Sequence, residues 1–183
     1  MGNRLNIFIS MSMVTGVLLV TPAIVRSQQM PPVRGTIALK GTVDKVYKGA
    51  NTVIVKTEDG VEHLVHLTGR TAVHGGALDG LEKGRIVIVH YVPAGAEETA
   101  EEIDQVGENG LKTTEGVVTN VNRKEKTISI RLPNGTTQTL RLTDRAASDA
   151  GKDLDSDHGT TNVVVYFEDG SGSRVAHYFQ KVS

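Results

Sequence analysis

The sequence predicts an all-β protein of two tandem five-stranded small barrels, and its repeat, its alternation and its turns carry that prediction. The stretch 41–72 (GTVDKVYKGANTVIVKTEDGVEHLVHLTGRTA) recurs as 116–147 (GVVTNVNRKEKTISIRLPNGTTQTLRLTDRAA), an offset of 75 residues that reads without a gap from Gly41/Gly116 to Tyr91/Tyr166. A repeat of that length is a small domain rather than a solenoid unit. Within each copy, short Val-, Ile- and Leu-rich runs alternate with polar residues, the period of a strand with one buried face. Asp59-Gly60 and Asn134-Gly135 are hairpin-turn pairs at matching places.

The N-terminus is set apart. Arg4 supplies a positive flank, residues 7–20 are mostly apolar, and Pro22 followed by small residues ends any helix. Residues 1–27 are therefore expected to be a signal peptide, cleaved after Ala23 or after Ser27. An uncleaved anchor is the alternative, weakened by Ser10, Ser12, Thr15, Gly16 and Pro22 in a stretch barely long enough to span. Cleavage would leave no stable membrane insertion and a periplasmic or secreted protein. Residues 28–35 are expected to be a flexible arm. The chain has no cysteine, hence no disulfide, acylated Cys or thiolate chemistry.

Each barrel is then read in order, as 36–107 and 116–183, with 108–115 a short polar linker. The first strand, 36–47, breaks its alternation because Val43 and Val46 are three apart, as are Val118 and Val121. A bulge or bend is expected near Asp44-Lys45 and Thr119-Asn120, the curvature that closing a small barrel requires. The second and third strands put Val53, Val55, Val65 and Leu67 inside, matched by Ile128, Ile130, Leu140 and Leu142. The segments 69–84 and 144–159 are long enough for a loop and a helical turn. Strand four (86–92 and 163–167) is a near-continuous apolar run, and strand five (100–106 and 174–182) ends each unit after a one-residue shift. The expected cores are Val43, Val46, Val53, Val55, Val65, Leu67, Ile88 and Ile103, and Val118, Val121, Ile128, Ile130, Leu140, Leu142, Val163 and Phe179. At about 70 residues a copy is marginal for burial, so the barrels are expected to pack on each other or on a second molecule.

Three strands, a loop or short helix and two further strands resemble the OB-fold, with an SH3-like barrel as the structural alternative. The G-x-V-x-x-V run, the D/N-G hairpin, the L-T segment and the late V-x-x-Y strand resemble small exported bacterial β-barrel domains of unknown function. These motifs are turn glycines and core valines, so the resemblance implies a fold and no chemistry.

Formal charge is −1, aromatics are 4% and Trp is absent, which gives no electrostatic or stacking signal for nucleic acid. Thr68-x-Arg70 and Thr143-x-Arg145 recur just after strand three. They read as architecture, Thr ending the strand and Arg pairing with an acidic loop residue, rather than as anion contacts. The six histidines show no H-x-H or H-x3-H spacing, and His66 and His74 meet only if the loop folds back. Asp153, Asp155 and Asp157 supply the first oxygens of a calcium-loop pattern, but His158 stands where its Gly belongs and Val164 where its bidentate Glu belongs. Glu102 and Asp104 share one strand face, expected to be a solvated edge. No nucleophile–base pairing is recognisable. The outward faces carry Lys56 and His66 in copy one and Arg131 and Arg141 in copy two, suited to a protein or acidic glycan.

The expected role is therefore a non-enzymatic binding or structural module of the cell envelope without cofactor. A calcium-responsive protein using the 153–157 loop is the alternative. Intact-mass analysis of the exported form should place its N-terminus between residues 24 and 29; retention of Met1 would support the anchor. Should the acidic loop bind calcium, millimolar calcium should raise the unfolding temperature, and Asp153→Ala or Asp155→Ala should remove the rise. An unchanged midpoint would leave the loop a solvated surface.

Overall fold

The computed structural model describes residues 36–94, 97–154 and 161–182, so the expected leader and arm and Asp155 and Asp157 of the acidic loop lie outside the described residues. Barrel one comprises β1 (Ile37–Tyr47), β2 (Thr52–Lys56), β3 (Glu62–His66), β4 (Ala72–His74), β5 (Ile86–Ala94) and β6 (Glu97–Gln105). Barrel two comprises β7 (Lys112–Asn122), β8 (Thr127–Arg131), β9 (Thr137–Leu142), α1 (Asp144–Asp153), β10 (Asn162–Asp169) and β11 (Arg174–Lys181).

In barrel one the neighbours run β3-β2-β1-β5-β6, and a parallel pair between β3 and β6 closes the ring. Barrel two closes as β10-β11-β9-β8-β7, again through a parallel pair, β9 with β11. Numbered within each copy, the order is 1-2-3-5-4, the Greek-key order of an OB-like barrel rather than of the SH3-like alternative. Both first strands carry the expected bulge, one skipping Asp44 between Val43↔Val55 and Lys45↔Ile54, the other skipping Thr119 between Val118↔Ile130 and Asn120↔Ser129. Gly41 and Gly116, the residues that open the sequence repeat, each lie against the end of the neighbouring strand. A Cβ there would come within 2.7 Å of the carbonyl oxygen of Lys56 or Arg131. Only glycine permits that approach.

The core of barrel one contains Val43, Val53, Val55, Val65, Val87, Val89, Tyr91, Ala100 and Ile103, with Val46 and Leu67 packed against it. That of barrel two contains Val118, Ile128, Ile130, Leu140, Leu142, Val163, Val165, Phe167, Ala176 and Phe179, with Val121 at its margin. Two corrections follow. The interior residues Val87, Val89 and Tyr91 correspond to Val163, Val165 and Phe167, so strand four already runs at an offset of 76, not 75. The extra residue of copy two sits in the connection after strand three, where barrel one forms β4 and a single 3-10 turn while barrel two forms α1. With the register set by that offset, Ile88 points out of barrel one. It is fully buried in a separate cluster with Leu111 and Tyr166, against which Val106, Val164 and Tyr178 pack. Residues of both barrels make up this cluster, so strands four and five of one copy face those of the other.

Half of the segment read as linker is strand, because β7 begins at Lys112. The crossing is a tight turn in which Gly107 N–H donates to Leu111 O at 3.0 Å and Gly110 N–H to Gly107 O at 2.9 Å. Leu111 is drawn into the joint, 2% exposed.

Val55 and Ile130 are fully buried, whereas their neighbours Lys56 and Arg131 are exposed. Val55→Ala and Ile130→Ala should each cost about 2–4 kcal/mol in urea unfolding, and Lys56→Ala and Arg131→Ala under about 0.5 kcal/mol. Equal losses at both kinds of position would overturn the register.

Candidate metal centre

The joint that buries Ile88 also buries charge. On the outward face of barrel one, β6 runs between β5 and β4. The register sets His90 of β5 opposite Glu102 and His74 of β4 beside Asp104. Side chains two apart on a strand share a face, so Glu102, Asp104, His74 and His90 converge. The three-residue β4 brings His74 there, and α1 takes the corresponding place in barrel two.

Barrel two covers this face with His177. The pairs Tyr166↔Tyr178 and Phe167↔Ala176 leave His177 as the extra residue of a β-bulge in β11. In barrel one the pairs His90↔Glu102 and Tyr91↔Ala100 leave Glu101 as the bulged residue at the equivalent place. Bulges re-aim side chains, and here each sends one toward the joint.

The resulting group is nearly dry at its centre. Asp104, His90 and His177 are 0%, 1% and 3% exposed. His177 Nδ1 lies 3.4 Å from Glu102 Oε1 and 3.4 Å from Asp104 Oδ1, and its Nε2 lies 3.5 Å from Glu168 Oε1. His74 Nε2 is 3.5 Å from Glu102 Oε1, and His90 Nε2 is 3.6 Å from Asp104 Oδ2. These are ion-pair distances without hydrogen-bond alignment. Both carboxylate oxygens of Asp104, both ring nitrogens of His177 and Nδ1 of His90 are buried without a hydrogen-bond partner. One ligand atom each from His74, Glu102 and Asp104 falls within 4.8 Å of the others, the spacing of a shared cation. The side chain of His74 is 42% exposed, which leaves a way in from solvent.

Charge in the group is mutually tuned. Burial pushes the Asp104 carboxyl up, but His177 and His90 beside it outweigh burial and hold it below the usual carboxylate value. Burial also works against a charged His177, and Asp104 and Glu168 overcome it, raising the imidazole above its ordinary value.

Arg145 lies at the rim. Its Nη1 donates to Glu102 Oε2 and its Nη2 to Glu101 Oε2, the latter at 3.1 Å. Thr143 caps α1 by accepting from the Ala146 N–H at 3.1 Å. The repeated Thr-x-Arg motif therefore starts a helix and pairs across the barrels, where an acidic loop partner was expected. In barrel one the same motif makes a local turn, Thr68 Oγ1 accepting from the Arg70 N–H at 3.2 Å, and Arg70 stays exposed.

Other expected site residues lie apart from the joint. His66 Nδ1 sits 3.3 Å from Thr52 Oγ1 rather than near His74. Lys56 pairs with Glu62 at one end of the β2–β3 hairpin and His66 with Thr52 at the other. Arg131 and Arg141 likewise occupy opposite ends of the β8–β9 hairpin, so neither pair converges. Asp153 ends α1, while Asp155 and Asp157 lie outside the described residues. The reading of Glu102 and Asp104 as a solvated edge is overturned by exposures of 7% and 0%. His90 and His177 went unrecognised because neither has a histidine at ligand spacing. The available signal was Glu102 and Asp104 alternating on a strand beside a buried apolar run that contains His90.

No protein-family profile matches the chain. No curated protein matches it. Among solved structures it is similar to silver(I)-bound CusF, at 13% identity and a TM-score of 0.33 over 39% of this chain and 97% of that one. It is similar to a Cu(II) structure of a CusF variant from Escherichia coli, at 13% identity and a TM-score of 0.35 over 43% of this chain and 100% of that one. It is also similar to apo-CusF from Escherichia coli, at 12% identity and a TM-score of 0.33 over 44% and 99%. Likenesses of that size carry no weight for the ligand. Among the described residues the donors at the joint are imidazole and carboxylate.

Proposed function

We propose that the chain is an exported, non-enzymatic metal-binding module that takes a divalent first-row ion through His74, Glu102 and Asp104. The convergence of these three side chains at a joint where both buried Asp104 oxygens lack a hydrogen bond carries the reading. A buried carboxylate without a compensating partner is expensive, and a bound cation removes that cost directly. Imidazole nitrogen with carboxylate oxygen suits zinc and its first-row neighbours, and the chain has no thiolate to favour a softer ion. Export rests on the N-terminal pattern Arg4, residues 7–20 and Pro22. A buried ion-pair cluster is the competing account of the same residues, and it predicts no affinity for metal.

Titration of the purified chain with zinc should show one strong site by calorimetry. At a hundredfold excess of free zinc over Kd, stability should rise by about 2.7 kcal/mol. His74→Ala and Asp104→Asn should each remove that rise. Absence of both heat and stabilisation in the unaltered chain would leave the joint as an ion-pair cluster.

A further inference from the structure

We infer that His177 is the fourth ligand, so that a metal ion at this joint ties barrel two to barrel one. The inference rests on the metal-binding reading above and adds to it the element that completes the site. His74, Glu102 and Asp104 all belong to barrel one, on β4 and β6. His177 reaches them from β11 of barrel two.

Three donor separations fit a four-coordinate ion; His177 stands outside the 4.8 Å grouping of the three barrel-one donors, so its ring must turn toward His74 to complete the set. Metal–nitrogen and metal–oxygen bonds of about 2.0–2.1 Å in a tetrahedral site separate the donors by about 3.4 Å, since the edge of a tetrahedron is roughly 1.63 times its radius. His177 Nδ1 stands 3.4 Å from both Glu102 Oε1 and Asp104 Oδ1, and His74 Nε2 stands 3.5 Å from Glu102 Oε1. The same atoms are poorly placed as hydrogen-bond partners, and both ring nitrogens of His177, whose side chain is 4% exposed, lack a hydrogen bond. An imidazole that pairs badly with two carboxylates yet stands at donor spacing from both is a ligand.

Surrounding groups have matching duties. Glu168 Oε1 lies 3.5 Å from the far nitrogen of His177, His177 Nε2, in position to orient the ring as outer carboxylates orient metal-bound histidines. Arg145 engages Glu102 Oε2 and leaves Oε1 toward His74 and His177. His90, 3.6 Å from Asp104 Oδ2, supports the second oxygen of Asp104. The Ile88–Leu111–Tyr166 cluster and the Arg145 contacts also join the barrels, so an ion at His177 is a further tie across the joint.

Cobalt(II) as a spectroscopic probe and zinc as a binding probe test the inference on the full chain. Cobalt should give an intense tetrahedral visible spectrum and two hyperfine-shifted imidazole N–H resonances, one each from His74 and His177. His177→Gln should lose one resonance and weaken zinc by at least about tenfold, the loss that even outer-sphere partners produce. Zinc should slow hydrogen exchange at the Leu111 and Tyr166 amides in the unaltered chain and not in His177→Gln. A urea midpoint for His177→Gln without metal confirms that the variant folds; the resonance count on the unaltered chain decides should it not. A single resonance, or unchanged zinc affinity in His177→Gln while His74→Ala abolishes binding, would overturn the tie between barrels and leave metal binding in barrel one intact. No zinc binding by the unaltered chain would overturn both.

Discussion

The contact of Ile88, Leu111 and Tyr166 removes the joint between the barrels from water, and the chemistry of the molecule depends on that removal. A carboxylate on an open strand face titrates normally and attracts little. The same carboxylate with no exposed surface must be answered by positive charge or stay neutral. Asp104 is in the second situation, 0% exposed, because barrel two lies over β6. Small barrels of about 70 residues bury little surface alone, so covering one outward face is a gain in its own right. The charged group is held dry by that apolar contact.

The two halves of the joint use equivalent scaffold positions for different chemistry. At the 76-residue offset Ile88 corresponds to Val164, His90 to Tyr166, Glu102 to Tyr178 and Glu101 to His177. At these positions barrel one presents ionisable groups beside Ile88 and barrel two mostly aromatic ones, with His177 as the exception; Arg145 and Glu168 add charge from elsewhere in barrel two. Tyr166 and Tyr178 pack with ring centroids 5.6 Å apart, and Lys40 Nζ lies 5.8 Å from the Tyr166 ring centre. Had both copies kept carboxylates here, like charges would have met across a dry joint.

The barrels were legible in the sequence because core positions repeat: Val55 and Ile130 must both fill an interior, and Asp59-Gly60 and Asn134-Gly135 must both turn a hairpin. The bulges at Asp44 and Thr119 were legible as broken alternation. The site was not, for reasons of register. Strand β4 has three residues, too few for a periodic signal, yet it places His74. The extra residue between Leu142 and Val163 moves the true partner of Tyr91 from Tyr166 to Phe167, and an ungapped alignment hides it. A bulge at His177 reorients a side chain that strict alternation would assign to the wrong face. Each is a shift of one residue, and on a strand one residue exchanges inside for outside.

The charge balance of the joint supports the proposed ion, as its geometry does. Among the described residues, the ion pairs of Glu101, Glu102, Asp104 and Glu168 at the joint include one permanent cation, Arg145, whose guanidinium is shared between Glu101 and Glu102. Asp104 is left to imidazoles. His177 bridges it to Glu102, and His90 approaches its other oxygen, none of them in hydrogen-bond alignment. A proton on His177 answers one negative charge at the cost of a poorly directed contact. A divalent ion at the proposed site would answer two, and the three barrel-one donors already lie within 4.8 Å of one another. The spacing that makes this group a mediocre ion-pair network is what supports the proposed cation site.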